Sequence, residues 1–212
     1  MKATNILSLL SLSLLIFACY VDIYETGKSS SSYYSDSPTP LLSSSSSREI
    51  EPQDSLHCEE HSYKVVKMRS QIWTAQNLNE IPKSGNSWCH GGFNNRCLLY
   101  GRLYDWEAAM NVCPDGWKLP TKDDFDVLLD WDAEDLRHTS VWHAAFGGFR
   151  NEDGSFTGVL GTGVLGDEGF WWSSTDVGDR AYYYTLEKGG LKLKRYDAKK
   201  TNGLSVRCIK IK

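Results

Sequence analysis

Tyr100-Gly101-Arg102-Leu103-Tyr104-Asp105-Trp106-Glu107-Ala108-Ala109, running on to Cys113-Pro114-Asp115-Gly116-Trp117-Lys118-Leu119-Pro120-Thr121, is the stretch that decides the fold class. From Tyr104 to Val112 it holds good helix formers with no Gly or Pro, which predicts a helix. Pro114-Asp115-Gly116 stops it. Thr121 is a sound N-cap for a second helix, with Asp123 and Asp124 in the first turn, where carboxylates complement the helix dipole. Phe125, Leu128 and Leu129 follow at i, i+3 and i+4, giving one apolar face. On the N-terminal side, Tyr63–Met68 reads as a strand, Arg69-Ser70 as a turn and Gln71–Ala75 as its hairpin partner. Residues 78–98 are Gly/Asn/Pro-rich and read as a loop carrying Cys89 and Cys97. On the C-terminal side Gly, Asp and Ser are frequent from Gly147 onward. Phe170–Ser174, Ala181–Leu186, Leu191–Tyr196 and Leu204–Ile211 read as strands there. Two helices followed by a meander predict an α+β domain with a mostly antiparallel, irregular sheet.

The chain has 212 residues, 23 Lys plus Arg against 27 Asp plus Glu, and a net charge of -4. That balance argues against a nucleic-acid partner, because phosphate binding needs a basic surplus. All 8 Trp lie between Trp73 and Trp172. The predicted domain therefore runs from 57 to 212, long enough for one real core.

Upstream, Lys2 precedes an apolar run from Ile6 to Phe17. A spanning helix needs about 20 residues, so the run suits the apolar core of a secretory signal instead. It ends Ile16-Phe17-Ala18-Cys19, which resembles a bacterial lipobox and implies cleavage before Cys19 with lipid on its thiol. Residues 1–18 are thus expected to be the signal peptide. Tyr20 after the lipidated Cys resembles the pattern for export to the outer membrane. Of the 28 residues 28–55, 12 are Ser, with Pro38, Pro40 and Pro52 among them. Such a segment cannot bury enough apolar area to offset its ordering entropy, so 19–56 reads as a lipid-anchored flexible linker. About 37 residues of this kind reach ~35 Å.

Several blocks together carry a family resemblance. They are Gln71-Ile72-Trp73-Thr74-Ala75-Gln76-Asn77-Leu78, the stretch quoted at the outset, Gly148-Phe149-Arg150, Trp171-Trp172-Ser173-Ser174-Thr175 and Ser205-Val206-Arg207-Cys208-Ile209-Lys210. Over nearly all of 63–212 the chain resembles the Fibrobacter succinogenes major paralogous domain family. The resemblance implies a C-type-lectin-like fold, in which a long disulfide ties the first helix to the last strand; carried over, that is Cys113 to Cys208. Cys89 is paired with Cys97, and Cys58 is left over: free, exchanging with Cys89 or Cys97, or bonded to another molecule. Export makes such bridges permissible.

Other motifs lack their context. Gly161-Thr162-Gly163-Val164-Leu165-Gly166 matches a dinucleotide fingerprint, but Asp167-Glu168-Gly169 after it starts no helix. Gly154-Ser155-Phe156-Thr157-Gly158 puts Ser one place early for a nucleophile elbow. His57, Cys58, Glu59, Glu60, His61, Cys89 and His90 give only half a zinc spacing, so no metal and no cofactor is expected. Asp123, Asp124 and Asp126 are accounted for by the helix start. The calcium triplets and the Trp-Asn-Asp strand of sugar-binding lectins are missing from the sequence.

The aromatics are the remaining lead. Trp rings stack on sugars, but Trp106, Trp117, Trp171 and Trp172 also suit a core. In Tyr182-Tyr183-Tyr184, alternation sends Tyr183 to one side and its neighbours to the other. Trp171, Trp172, Tyr182, Tyr183 and Tyr184 are the candidate ligand-binding residues. The expected function is a non-catalytic binding or adhesion module on an envelope lipoprotein, for polysaccharide or a surface partner. The alternatives are an enzyme akin to formylglycine-generating oxidases, which share the broad fold and use paired Cys, and a purely structural envelope protein.

Overall fold

Alternation drives the hairpin that opens the domain. In β3 (Ser62–Met68), Tyr63, Val65 and Met68 are buried while Ser62, Lys64 and Lys67 face solvent. β4 (Gln71–Thr74) returns antiparallel, with Met68 opposite Gln71 and Val65 opposite Thr74, across a turn in which Arg69 takes φ +56°. The computed structural model describes residues 19–22, 55–58, 61–132, 136–137, 142–157 and 165–212. Residues 1–18, the Ser-rich run and most of the Gly161–Gly166 motif lie outside them.

A six-stranded sheet is built around this hairpin. Its other members are β1 (Tyr20–Asp22), β2 (Ser55–His57), β7 (Trp117–Lys118) and β13 (Ile209–Lys210), in the order β1-β2-β3-β4-β13-β7. The chain's last strand thus lies beside one of its first, with Ile209 opposite both Trp73 and Lys118. The domain boundary at 57 needs correction: Leu56 is buried opposite Tyr63, and Tyr20–Asp22 pairs with Ser55–His57.

Three short α-helices lie between Asn94 and Asp126, rather than two. α1 (Asn94–Tyr100) falls in the stretch read as loop. Of its residues only Cys97 is buried, and Leu98 and Leu99 are 77% and 69% exposed, so no amphipathic period marks it. α2 (Trp106–Asn111) is capped by Asp105, whose Oδ1 accepts from the Ala108 amide at 2.8 Å, and it buries Ala108 and Ala109. α3 (Lys122–Asp126) starts in a full capping box between Thr121 and Asp124. Burial would raise the Asp124 carboxyl, but hydrogen bonds from Lys118 and Thr121 outweigh it and hold the group below its usual range.

The second sheet sorts the aromatics. β10 (Glu168–Val177), β11 (Arg180–Glu187) and β12 (Lys194–Lys199) run antiparallel, with Trp171 opposite Tyr184 and Trp172 opposite Tyr183. Successive side chains of a strand point to opposite faces. Trp171 and Tyr184 therefore enter one core cluster, with Trp73, Phe125 and Trp142. Trp172 enters the other, with Tyr104, Ala108, Trp117 and Val206. The expected strand from Leu204 to Ile211 is shorter than read: Leu204 and Ser205 make single bridges, and only Ile209–Lys210 pairs regularly. Two small hairpin-like pairs complete the fold, β5 (Ser87–Trp88) with β6 (Leu103–Tyr104) and β8 (Phe149–Arg150) with β9 (Phe156–Thr157). The architecture is α+β, with few helices and mostly antiparallel sheets.

Three disulfides brace it: Cys113–Cys208, Cys89–Cys97 and Cys19–Cys58. The last corrects the cysteine count, since Cys58 is not left over but bonded to Cys19.

Candidate functional site

The candidates Trp171, Trp172 and Tyr184 are fully buried, which removes them as ligand contacts. Each also spends its polar atom inside. Trp171 Nε1 donates to Asn77 Oδ1 at 2.8 Å, Trp172 Nε1 to the Tyr104 carbonyl at 2.7 Å, and the Tyr184 hydroxyl to Asp126 Oδ1 at 2.6 Å. Burial and Asp126 together push the Tyr184 phenol well above its ordinary value.

The node beside Trp171 is a densely bonded polar site in the interior. Arg207 is fully buried. Its Nε donates to Asn77 Oδ1 at 2.7 Å, and its other nitrogens donate to the carbonyls of Thr74, Trp142 and His143 at 3.2, 2.6 and 2.8 Å. Its guanidinium lies 4.7 Å from the Trp142 ring centre. Burial lowers its pKa to about 9, and four oxygen acceptors hold the proton in place at neutral pH. Asn77 Nδ2 reaches the carbonyls of Tyr100 and Ala145 and the Ser205 hydroxyl. No solvent reaches this cation, so its role is to join chain segments.

Tyr182 and Tyr183 are partly exposed and diverge as alternation requires. Tyr182 carries the Arg195 guanidinium 5.3 Å from its ring centre. Tyr183 belongs to a row of rings that crosses four strands. Phe149 and Phe170 are 5.5 Å apart, Phe170 and Tyr183 6.0 Å, and Tyr183 and Tyr196 5.9 Å. The first three are partly buried against the core, and Tyr196 is 51% exposed. Burial and the nearby Glu168 push the Tyr183 phenol up to about 12, so it stays a neutral hydroxyl at ordinary pH. Phe149, Phe170 and Tyr196 carry no binding signal in the sequence, because the row is assembled from β8, β10, β11 and β12. No local pattern links them.

A second surface lies at the β8–β9 pair. An open groove of about 450 Å³ is lined by Trp88, Gly91, Asn94, Arg102, Arg150 and Phe156, among others. The zinc-like histidines do not converge: no group of three His, Cys, Asp or Glu able to hold a metal occurs among the described residues. Cys58 and Cys89 are in disulfides, and His61 faces Glu80 at 3.2 Å. Glu59 and Glu60 lie outside the described residues.

No curated protein and no solved structure shows significant similarity to this chain. One family model does match, that of the Fibrobacter succinogenes major domain, over residues 66–210. That span is more than half of the chain and takes in the hairpin from Val66 onward, α1 to α3, the Asn77–Arg207 node and the aromatic row, so the chain belongs to the Fibrobacter succinogenes major domain family.

Proposed function

We propose that this domain is a non-catalytic binding module for polysaccharide, held outside the cytoplasm at the cell envelope. The observation that carries it is the row Phe149, Phe170, Tyr183 and Tyr196, partly exposed on a rigid sheet. Sugar rings present apolar C–H faces, and rigid aromatic side chains meet them with little loss of conformational entropy. The finer fold assignment, C-type-lectin-like, draws support from α2 leading into Cys113 and from the bond between Cys113 and Cys208 beside the last strand.

Retention on crystalline cellulose or insoluble xylan tests the binding reading. Tyr196→Ala should weaken retention about tenfold, equivalent to about 1.4 kcal/mol. Tyr182→Ala, on the opposite face of β11, should leave it unchanged. Absence of retention on either matrix, or a Tyr196→Ala protein that binds as well as the parent, would overturn it. The oxidase alternative needs two neighbouring thiols, whereas Cys89 with Cys97 and Cys113 with Cys208 are in disulfides, which leaves at most Cys58 as a thiol once Cys19 carries lipid.

The anchor we assign is a lipid on Cys19. A thioether lipid and the Cys19–Cys58 disulfide are exclusive states of one sulfur. The anchored form therefore carries Cys58 as a thiol. Intact mass and maleimide labelling of native membrane fractions should show an acyl-bearing chain with one reactive thiol. A chain with no acyl mass and no thiol would remove the anchor and leave the binding reading standing.

A further inference from the structure

We propose that the groove beside the β8–β9 pair binds the carboxylate of an acidic sugar, making the ligand a uronate-bearing polysaccharide. This rests on the reading of the domain as a polysaccharide binder and adds a second contact to it. Arg150 is the centre. Its guanidinium lies 4.0 Å from the Trp88 ring centre and 6.0 Å from that of Phe156, so two rings fix its plane. Two glycines make the stack possible. A Cβ on Gly203 would come within 3.0 Å of both Arg150 Cβ and Trp88 Cε3, and one on Gly154, at φ +88°, within 3.2 Å of Arg150 Nη2. Arg150 Nη1 has only a long bond of 3.3 Å to the adjacent Asn151 carbonyl. Arg102 lines the same groove, with Nε on Ser87 Oγ at 2.9 Å and a distant sulfur contact at Nη1.

Neither guanidinium has a carboxylate within ion-pair distance among the described residues, whereas Arg69, Arg180 and Arg195 each have one. The acids on the same hairpin make no ion pair with Arg150, although, after the Ser155 hydrogen bonds, its charge helps to lower the Asp153 carboxyl. Asp153 accepts from the Ser155 amide and hydroxyl at 2.8 and 2.7 Å, and Glu152 pairs with Lys199 at 2.9 Å. Behind the groove His90 bonds Arg96 at 3.1 Å, and burial followed by the Arg96 charge lowers its pKa, which disfavours a further positive charge there. Two preset guanidinium planes with free donors suit a carboxylate, which they grip in bidentate fashion. The flanking Trp88 and Phe156 edges suit the apolar face of the sugar that bears it.

The test compares polygalacturonate, fully methyl-esterified polygalacturonate and cellulose as ligands for the intact domain. Polygalacturonate should bind at least tenfold more tightly than its methyl ester, and the difference should shrink as salt is raised. Arg150→Gln and Arg102→Gln should each lower polygalacturonate affinity about tenfold and leave cellulose retention unchanged. Equal binding of the acid and the ester would overturn the groove while the aromatic row survived. Loss of binding to all three ligands would remove both readings. Should Arg150→Gln fail to fold, the acid-versus-ester ratio on the unmodified protein decides the matter alone.

Discussion

Asn77→Ala is expected to cost the domain about 3–5 kcal/mol, on the scale of breaking a buried charged contact. The side chain is 5% exposed and uses both ends. Its oxygen accepts from Arg207 Nε and Trp171 Nε1, and its nitrogen serves the Tyr100 and Ala145 carbonyls and the Ser205 hydroxyl. Truncation strands a buried cation's donor, an indole N–H and two carbonyls together, each carrying a desolvation penalty of roughly 1–3 kcal/mol when left unpaired. Some of that is recovered by the three carbonyls that remain on Arg207. For a domain of this size the loss corresponds to a fall in Tm on the order of 10 °C. Urea unfolding of Asn77→Ala beside Tyr182→Ala, an alteration at the surface, checks it. The surface variant should stay within about 0.5 kcal/mol of the parent. A cost below about 1 kcal/mol for Asn77→Ala would mean that the node does not hold the segments it touches.

The sequence is informative where an element's own residues carry the cause. The hairpin at 62–74 is legible because alternation and a turn act within a few residues. α2 is legible because helix formers run up to Pro114-Asp115-Gly116, although the helix proper starts only after Asp105, which caps it. Leu98 and Leu99 defeat the same reasoning, since both face solvent and leave α1 without an apolar stripe. Arg207 gives a weak signal, a lone cation between Val206 and Cys208 in an apolar run. Its partners lie up to 133 residues away, so their identity needed the fold. The aromatic row shows the same limit: Tyr183 stands out in a Tyr run, while Phe149, Phe170 and Tyr196 acquire meaning only when four strands lie side by side. Reserving Cys19 for lipid leaves Cys58 without a partner in the sequence. β1 beside β2 is what brings those two sulfurs together.

Removing the Cys113–Cys208 bridge should be the most costly disulfide deletion. It closes a separation of 95 residues, against 39 for Cys19–Cys58 and 8 for Cys89–Cys97. In the chain-entropy account those loops restrict the unfolded ensemble by about 4.7, 3.9 and 2.5 kcal/mol. Position widens the gap. Cys208 is fully buried, and its amide donates to Thr74 Oγ1 at 3.0 Å, immediately after Arg207 in the chain. The bond thus ties the end of α2 to the segment that carries the buried cation and then β13, the strand that joins β4 to β7. Cys89–Cys97 only links the middle of α1 to the residue that follows β5, and Cys19–Cys58 fastens an edge. Cys113→Ala with Cys208→Ala should therefore lose about 4–5 kcal/mol, and Cys89→Ala with Cys97→Ala roughly half of that. Urea midpoints and slopes for the two double variants separate the cases, because a change confined to the midpoint reports stability and a change in slope reports a looser unfolded chain. If the short loop proved the costlier one to open, strain or packing near α1 would outweigh chain entropy, and the closing strand would be held by its hydrogen bonds rather than by its covalent tie.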